Sequence, residues 1–304
     1  MDRQKVLAIV GPTGIGKTSL SVWLAKQLDG EIISCDSMQV YKKMDIGTAK
    51  VTQEEMQGIH HELIDVQNYN EPYNVKVFQE KCRTAIEDVV KRGKFPILCG
   101  GTGLYLKAAL YDYEFQEEQE DAAYTAYLNS KTNEKLVEML EEQDVKALEK
   151  IHPNNRKRLI RALQICHSGT SKSEQEDKQQ HIPLYDVYFL GLDVNRDILH
   201  DRINKRVDIM FENGLVKEVK DLFTNPETWE YTSFQGIGYK EFKDYFLKEK
   251  SIDEVKTAIK THSRQYAKRQ YTWFKNQMPV HWFEAQNRDE IYSAVKEWLM
   301  DEDK

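Results

Sequence analysis

The chain has 304 residues, of which 31% are charged and 40% hydrophobic, with a formal net charge of −7. That composition fits a globular protein with a sizeable core and room for more than one domain, and its strand-sized apolar runs exclude a membrane-spanning chain. The four cysteines, Cys35, Cys82, Cys99 and Cys166, form neither a CxxC pair nor a Cys/His cluster, so no disulfide framework or zinc site is expected and a reducing cytoplasm is the natural compartment. Met1-Asp2-Arg3-Gln4 runs directly into the first apolar segment without a signal-peptide pattern.

Val6 to Val10 reads as a buried strand and Lys17 to Leu28 as a helix. Between them stands Gly11-Pro12-Thr13-Gly14-Ile15-Gly16-Lys17-Thr18, a complete phosphate-binding loop in the strand–turn–helix context it requires. Glycines let backbone N–H groups point at phosphate oxygens, and the helix N-terminus adds positive potential. Lys17 supplies a point charge and the Thr18 hydroxyl a ligand for Mg²⁺. Glu31 to Cys35 reads as a second strand, Tyr73 to Arg92 as a long helix, and Phe95 to Cys99 as a strand stopping at Gly100-Gly101-Thr102-Gly103. This order predicts an α/β fold, a P-loop parallel sheet covered by helices, with ligands at the carboxyl ends of its strands. Three loops would meet there: the phosphate loop, Asp36-Ser37-Met38-Gln39, and Gly100 to Gly103.

After Tyr113 the chain turns acid-rich, and Tyr124 to Ile165 is helical in pattern without strand signals. Ser168 to Gln180 has no apolar residue and is expected as a mobile loop. Tyr185 to Leu192 restores a strand; Arg196 to Phe211, Val216 to Phe223 and Ile252 to Phe274 read as helices, and Val280 to Phe283 as a last strand. A catalytic core of 1–114 and 183–304 with a helical insertion domain at 115–182 follows.

Two basic patches stand out in this acidic chain. Arg156, Lys157, Arg158 and Arg161 cluster in the insertion. Lys256, Lys260, Arg264 and Lys268 recur every four residues, on one helical face, and no acid occurs from Val255 to Asn276. Tyr266, Tyr271, Trp273 and Phe274 are interleaved. Cations that hold phosphates beside aromatics that stack on bases suit a single-stranded RNA loop; a solvated helix face over core aromatics is the plainer alternative. His60 and His61 are expected to be structural, since adjacent histidines on a turn do not make a metal site.

The phosphate loop is shared by kinases and by switch or remodelling NTPases, which usually add an apolar strand ending in Asp. Here Phe95 to Cys99 ends in glycine, and the acid after a strand is Asp36, placed to ligate metal, act as a general base, or cap a turn. The run Ser34-Cys35-Asp36-Ser37-Met38-Gln39-Val40-Tyr41, followed by Met44 to Lys50, closely resembles the tRNA dimethylallyltransferases. So do His60-His61-Glu62-Leu63-Ile64-Asp65, Arg92 to Leu98, Gly100 to Tyr105, His152 to Leu163, Gly236-Ile237-Gly238-Tyr239-Lys240-Glu241 and Ala267 to Trp273, in family order over roughly residues 5–275.

The resemblance implies transfer of a dimethylallyl group from dimethylallyl diphosphate to N6 of the adenosine just 3′ of the anticodon in tRNA. It implies that Asp36 and Thr102 are catalytic, Asp36 taking or orienting the N6 proton and Thr102 lying close to the target nucleotide. Residues Gly11 to Thr18 would hold the diphosphate with Mg²⁺, and the adenosine would be flipped from its stack. Contacts to the anticodon stem-loop map onto Asp36, Ser37, Met38 and Gln39 and onto Lys157, Arg158, Leu159, Ile160 and Arg161, joined by Lys260, Arg264, Lys268 and Trp273 from the basic helix. A monomer is expected. Adenylate isopentenyltransferases, a related class, would not need the RNA-facing patches. Ile15 is larger than the residue expected at its place in the loop and is suited to a prenyl tail. The zinc-finger extension of eukaryotic relatives is not found, which implies the bacterial type.

Overall fold

The computed structural model describes residues 3–115, 121–169, 171–174 and 180–301. Part of the acid-rich run, at 116–120, and part of the expected loop, at 170 and 175–179, lie outside them.

The chain forms two compact units, one of residues 1–111 and 183–304, the other of 112–182. The first is built on a six-stranded, all-parallel sheet: β1 (Lys5–Val10), β2 (Gly30–Ser34), β3 (His61–Glu62), β4 (Phe95–Gly100), β5 (Asp186–Asp193) and β6 (His281–Glu284), in the order β3-β2-β4-β1-β5-β6. β1 is central and apolar on both faces because both are covered. Val6, Ala8 and Val10 join Ile33, Leu98 and Phe189 in one core; Leu7 and Ile9 join Ile32, Ile97, Leu190 and Leu192 in the other. The Val75–Lys91 helix, with Phe78, Cys82, Ile86 and Val89 inward, packs into the first core; the Lys17–Leu28 and Arg288–Met300 helices pack into the second.

The two-residue β3 was not legible as a strand; it pairs with β2 through Ile32–His61 and Ile33–Glu62. Connections leave β1 toward β2 and leave β4 toward β5, so the crevice between the carboxyl ends of β1 and β4 is the topological switch point. Lys5 Nζ, at the other end of β1, donates to the carbonyls of Trp298, Leu299 and Asp301, satisfying orphan acceptors where the Arg288–Met300 helix ends.

The second unit has its own small core: Leu128, Leu136, Leu140, Ile151, Leu159 and Leu163, drawn from the helices Ala122–Asn129, Asn133–Gln143 and Arg156–His167 and the turn after Val145–Leu148. Side chains of Asp121, Thr132, Asp144 and Asn155 each accept an N–H at the start of the helix that follows, which sets the breaks between these short helices. Among the described residues no helix is long and apolar enough to cross a membrane.

Candidate functional site

β1 ends in the phosphate loop. Gly14 (φ 79) and Gly16 (φ 105) take left-handed backbone, which turns the chain sharply before the Lys17–Leu28 helix. Lys17 Nζ donates to the carbonyls of Gly11 and Pro12 at 3.0 and 2.9 Å. Burial pushes the Lys17 ammonium down to about 8, although Cys99 and Asp36 pull the other way. An anion in the loop would favour its charged form.

Asp36 follows β2, held beside β4 by the Cys35 N–H donating to the Cys99 carbonyl at 2.8 Å. Asp36 Oδ1 accepts from the N–H groups of Met38 and Gln39 at 2.8 and 3.3 Å. The turn-capping reading of Asp36 therefore holds, and the turn fixes the carboxylate where Asp36 lines the cavity of the phosphate loop. That cavity, of about 660 Å³, is also lined by Lys17, Thr18, Gln39, Gly101, Arg206, Tyr266 and Gln270.

The last three come from distant helices. Gln270, on the Ile252–Gln277 helix and buried, accepts from the Thr13 N–H at 2.9 Å and donates to the Gly101 carbonyl at 2.9 Å, tying two of the three loops together. Burial and the Asp36 charge raise the Tyr266 phenol, while hydrogen bonding with Thr102 and Gln270 lowers it. Thr102, N-cap of the Gly103–Leu110 helix, directly follows Gly101, which lines the cavity. Arg206, on the Arg196–Glu212 helix, donates to Thr13 Oγ1 at 3.1 Å and to the Ala49 carbonyl at 3.2 Å. Burial lowers its pKa; Asp36 and Glu55 oppose this. Two cations and a carboxylate around glycine-rich amides can hold a diphosphate beside a proton acceptor.

Arg206 was missed in the sequence. Its only local signal is the pair Arg202 and Arg206, one turn apart on a helix. Gln270 was visible within Ala267 to Trp273, but nothing local marks it as the link between loops.

Several side chains are placed otherwise than expected. Ile15 is 1% exposed and packs in the core with Leu7, Ile9 and Leu20, so most of its side chain is already covered by the protein itself. Leu159 is wholly buried in the second unit and Ile160 packs against the same core, so neither apolar side chain is an open RNA contact; Lys157, Arg158 and Arg161 are exposed. Arg156 is turned inward to Asn133 and the carbonyls of Leu128 and Asn129. The stripe on the Ile252–Gln277 helix is not acid-free in three dimensions. Lys256 and Lys260 both pair with Asp208 at 2.7 Å, and Arg264 donates to Asn204 at 2.6 Å, so much of this face docks the Arg196–Glu212 helix. Lys268 stays exposed, in a shallow groove with Arg269, Thr272 and Trp273. Trp273 lies against Gly103 so closely that a Cβ there would sit 2.0 Å from its ring.

Of the Asp36–Gln39 block, Met38 is partly buried and Gln39 donates to the Ala49 carbonyl at 3.1 Å. Glu31, His60 and Glu62 bring metal-type ligand atoms together, but Arg92 bonds Glu31 and Glu62 at 2.6 and 2.8 Å, so the cluster is an ion network.

A family model described as IPP transferase matches residues 39–277. A tRNA dimethylallyltransferase of Bacillus anthracis is 49% identical over 301 residues, 97% of this chain and 96% of that protein. Among solved structures, the full-length tRNA isopentenylpyrophosphate transferase of Bacillus halodurans superposes with a TM-score of 0.75 at 42% identity, covering 98% of this chain and 97% of that one. A eukaryotic dimethylallyltransferase acting on tRNA superposes with a TM-score of 0.81 at 32% identity, covering 98% of this chain and 78% of that one. The resemblance carried by the sequence blocks thus extends along nearly the whole chain and its fold: this chain belongs to the IPP transferase family.

Proposed function

We propose that this enzyme transfers the dimethylallyl group of dimethylallyl diphosphate to N6 of the adenosine 3′-adjacent to the anticodon in tRNA. The observation that carries this reading is that Asp36 lines the same cavity as the phosphate loop and Arg206. A nucleotide-hydrolysing P-loop enzyme must activate water or a hydroxyl. In this reading the carboxylate at the end of β2 would instead accept a proton from an exocyclic amine.

In the reaction N6 attacks the allylic carbon, the carbon–oxygen bond to the diphosphate breaks, and the N6 proton passes to Asp36. The amides of Gly14 to Thr18, Lys17 and Arg206 receive the charge that grows on the departing diphosphate. Thr102, next in the chain to cavity-lining Gly101, would lie close to the flipped base. Thr18, on the cavity, offers a hard hydroxyl oxygen that would suit Mg²⁺. When bound, that ion neutralises diphosphate charge.

The tRNA anticodon stem-loop would be held by Ser37 and Gln39 at the site, by Lys157, Arg158 and Arg161 on the helical insertion domain, and by Lys268 with Trp273. Lys260 and Arg264, engaged within the chain, would contribute less. Action as a monomer in the cytoplasm belongs to the same proposal, and the four free cysteines suit a reducing compartment.

The test is to incubate the protein with Mg²⁺, labelled dimethylallyl diphosphate and unmodified tRNA and to analyse nucleosides. N6-isopentenyladenosine at the position 3′ of the anticodon is expected, without ATP hydrolysis. Product coupled to stoichiometric ATP hydrolysis, or label on free AMP alone, would replace this reading.

A further inference from the structure

The block Met44-Asp45-Ile46-Gly47-Thr48-Ala49-Lys50 has no chemistry of its own in the scheme above, yet residues from it line the cavity. Its Ala49 carbonyl accepts from both Arg206 and Gln39, at 3.2 and 3.1 Å. One oxygen thus sets the guanidinium beside the phosphate loop and the amide beside Asp36. Ala49 also holds left-handed backbone, φ 45, which a non-glycine residue keeps only when its surroundings impose it.

Two clamps impose it. Lys50 Nζ is buried on the Tyr41 carbonyl, Asp45 and Asp65, at 2.7, 2.6 and 2.6 Å. At the other end, Glu218 takes the amides of Asp45, Ile46 and Gly47 at 2.9, 2.7 and 3.0 Å and the Tyr239 hydroxyl at 2.7 Å. Three consecutive N–H groups converging on a carboxylate form an anion nest filled from within the chain. Lys50 ties the loop to the β2 side. Glu218 ties it to the Leu215–Leu222 helix, which follows the Arg206 helix after a two-residue turn at Asn213 and Gly214. The separation between Ala49 and Arg206 is therefore set through Glu218.

We infer that Glu218 is a positioning residue for the transfer: its grip on the Asp45–Gly47 amides holds the Ala49 carbonyl where it orients Arg206 toward the diphosphate and Gln39 toward the RNA. The inference rests on the proposed reading for the names of those two ligands. It has a signature that a merely structural role lacks, because the effect on the diphosphate must run through Arg206.

The experiment is a double-mutant cycle. Glu218→Ala and Glu218→Gln are expected to lower kcat/KM for dimethylallyl diphosphate by about tenfold, as coupled neighbours do. In an Arg206→Ala background the same change should cost less than about twofold, and Glu218→Asp should restore part of the loss. Equal losses in both backgrounds, or wild-type kinetics for Glu218→Ala, would overturn the inference. Should Glu218→Ala fail to fold, Glu218→Gln keeps the volume and one acceptor oxygen and gives the same reading. Binding of inorganic diphosphate, followed by calorimetry on the same set of proteins, repeats the cycle without prenyl transfer. A wild-type protein that binds diphosphate but does not modify tRNA would remove the functional reading alone. Additive losses in diphosphate affinity would remove this one.

Discussion

The guanidinium of Arg206 and the hydroxyl of Thr13 meet at 3.1 Å although 193 residues separate them. This contact brings a second cation to a phosphate loop that carries Lys17 alone in sequence. Arg206→Ala should reduce kcat/KM for dimethylallyl diphosphate by about 10²–10³, the range for losing a group that stabilises developing charge. Arg206→Lys should recover only part, since one ammonium does not reproduce the fork that spans Thr13 and Ala49. Steady-state kinetics at saturating tRNA read both.

Asp36 has two tasks that substitution separates. Asp36→Asn keeps the Oδ1 acceptor for Met38 and Gln39 but removes the base, so turnover should fall by about 10²–10⁴ with tRNA affinity and melting temperature unchanged. Asp36→Ala removes the cap as well and should cost a further ~1 kcal/mol of stability. Near-normal turnover in Asp36→Asn would take Asp36 out of the chemistry.

The Lys17 ammonium, pushed down to about 8 by burial, sets an alkaline limb. In the free enzyme, kcat/KM for dimethylallyl diphosphate should fall as pH rises past about 8, whereas the limb in kcat should lie at higher pH because bound diphosphate favours the charged amine. Folding disfavours this proton, so the unfolded chain binds more protons between about 8 and the ordinary 10.5, and Lys17 contributes rising stability across that window. A pH–rate profile beside pH-dependent urea melts checks both directions.

Gln270→Leu keeps the volume but leaves the Thr13 N–H and the Gly101 carbonyl without their partner. Each orphaned group should cost about 1–3 kcal/mol, seen as a lower urea midpoint. The phosphate loop loses its tie to the β4 loop as well, so KM for dimethylallyl diphosphate should rise. A stable variant with unchanged KM would show that the bridge is dispensable.

The cations of the Ile252–Gln277 helix should divide by their partners. Lys268→Ala with Arg269→Ala should weaken tRNA binding and flatten the plot of log K against log salt by about 0.7 per lost phosphate contact. Lys256→Ala should scarcely change that slope, because the lysine is spent on Asp208, and should lower stability slightly. Titrations at several salt concentrations distinguish the two.

What could be read from the sequence is what short stretches decide for themselves. The phosphate loop, the apolar strands before and after it, the turn aspartate and the insertion of short helices are set by local backbone preference and hydrophobic period. Their residues are neighbours in the chain, and the recurrence of family blocks in order placed the chain in its family. Tertiary structure alone decided which of those residues face the site. Ile15 and Leu159 looked available beside functional neighbours, yet the side of the chain they occupy turns into a core. The basic stripe looked unopposed because Asp208 lies on another helix. Nothing in their own segments shows which loops Arg206, Gln270 and Glu218 act on: each reaches a loop far away in sequence, and such contacts exist only once packing around the sheet has fixed where those helices lie.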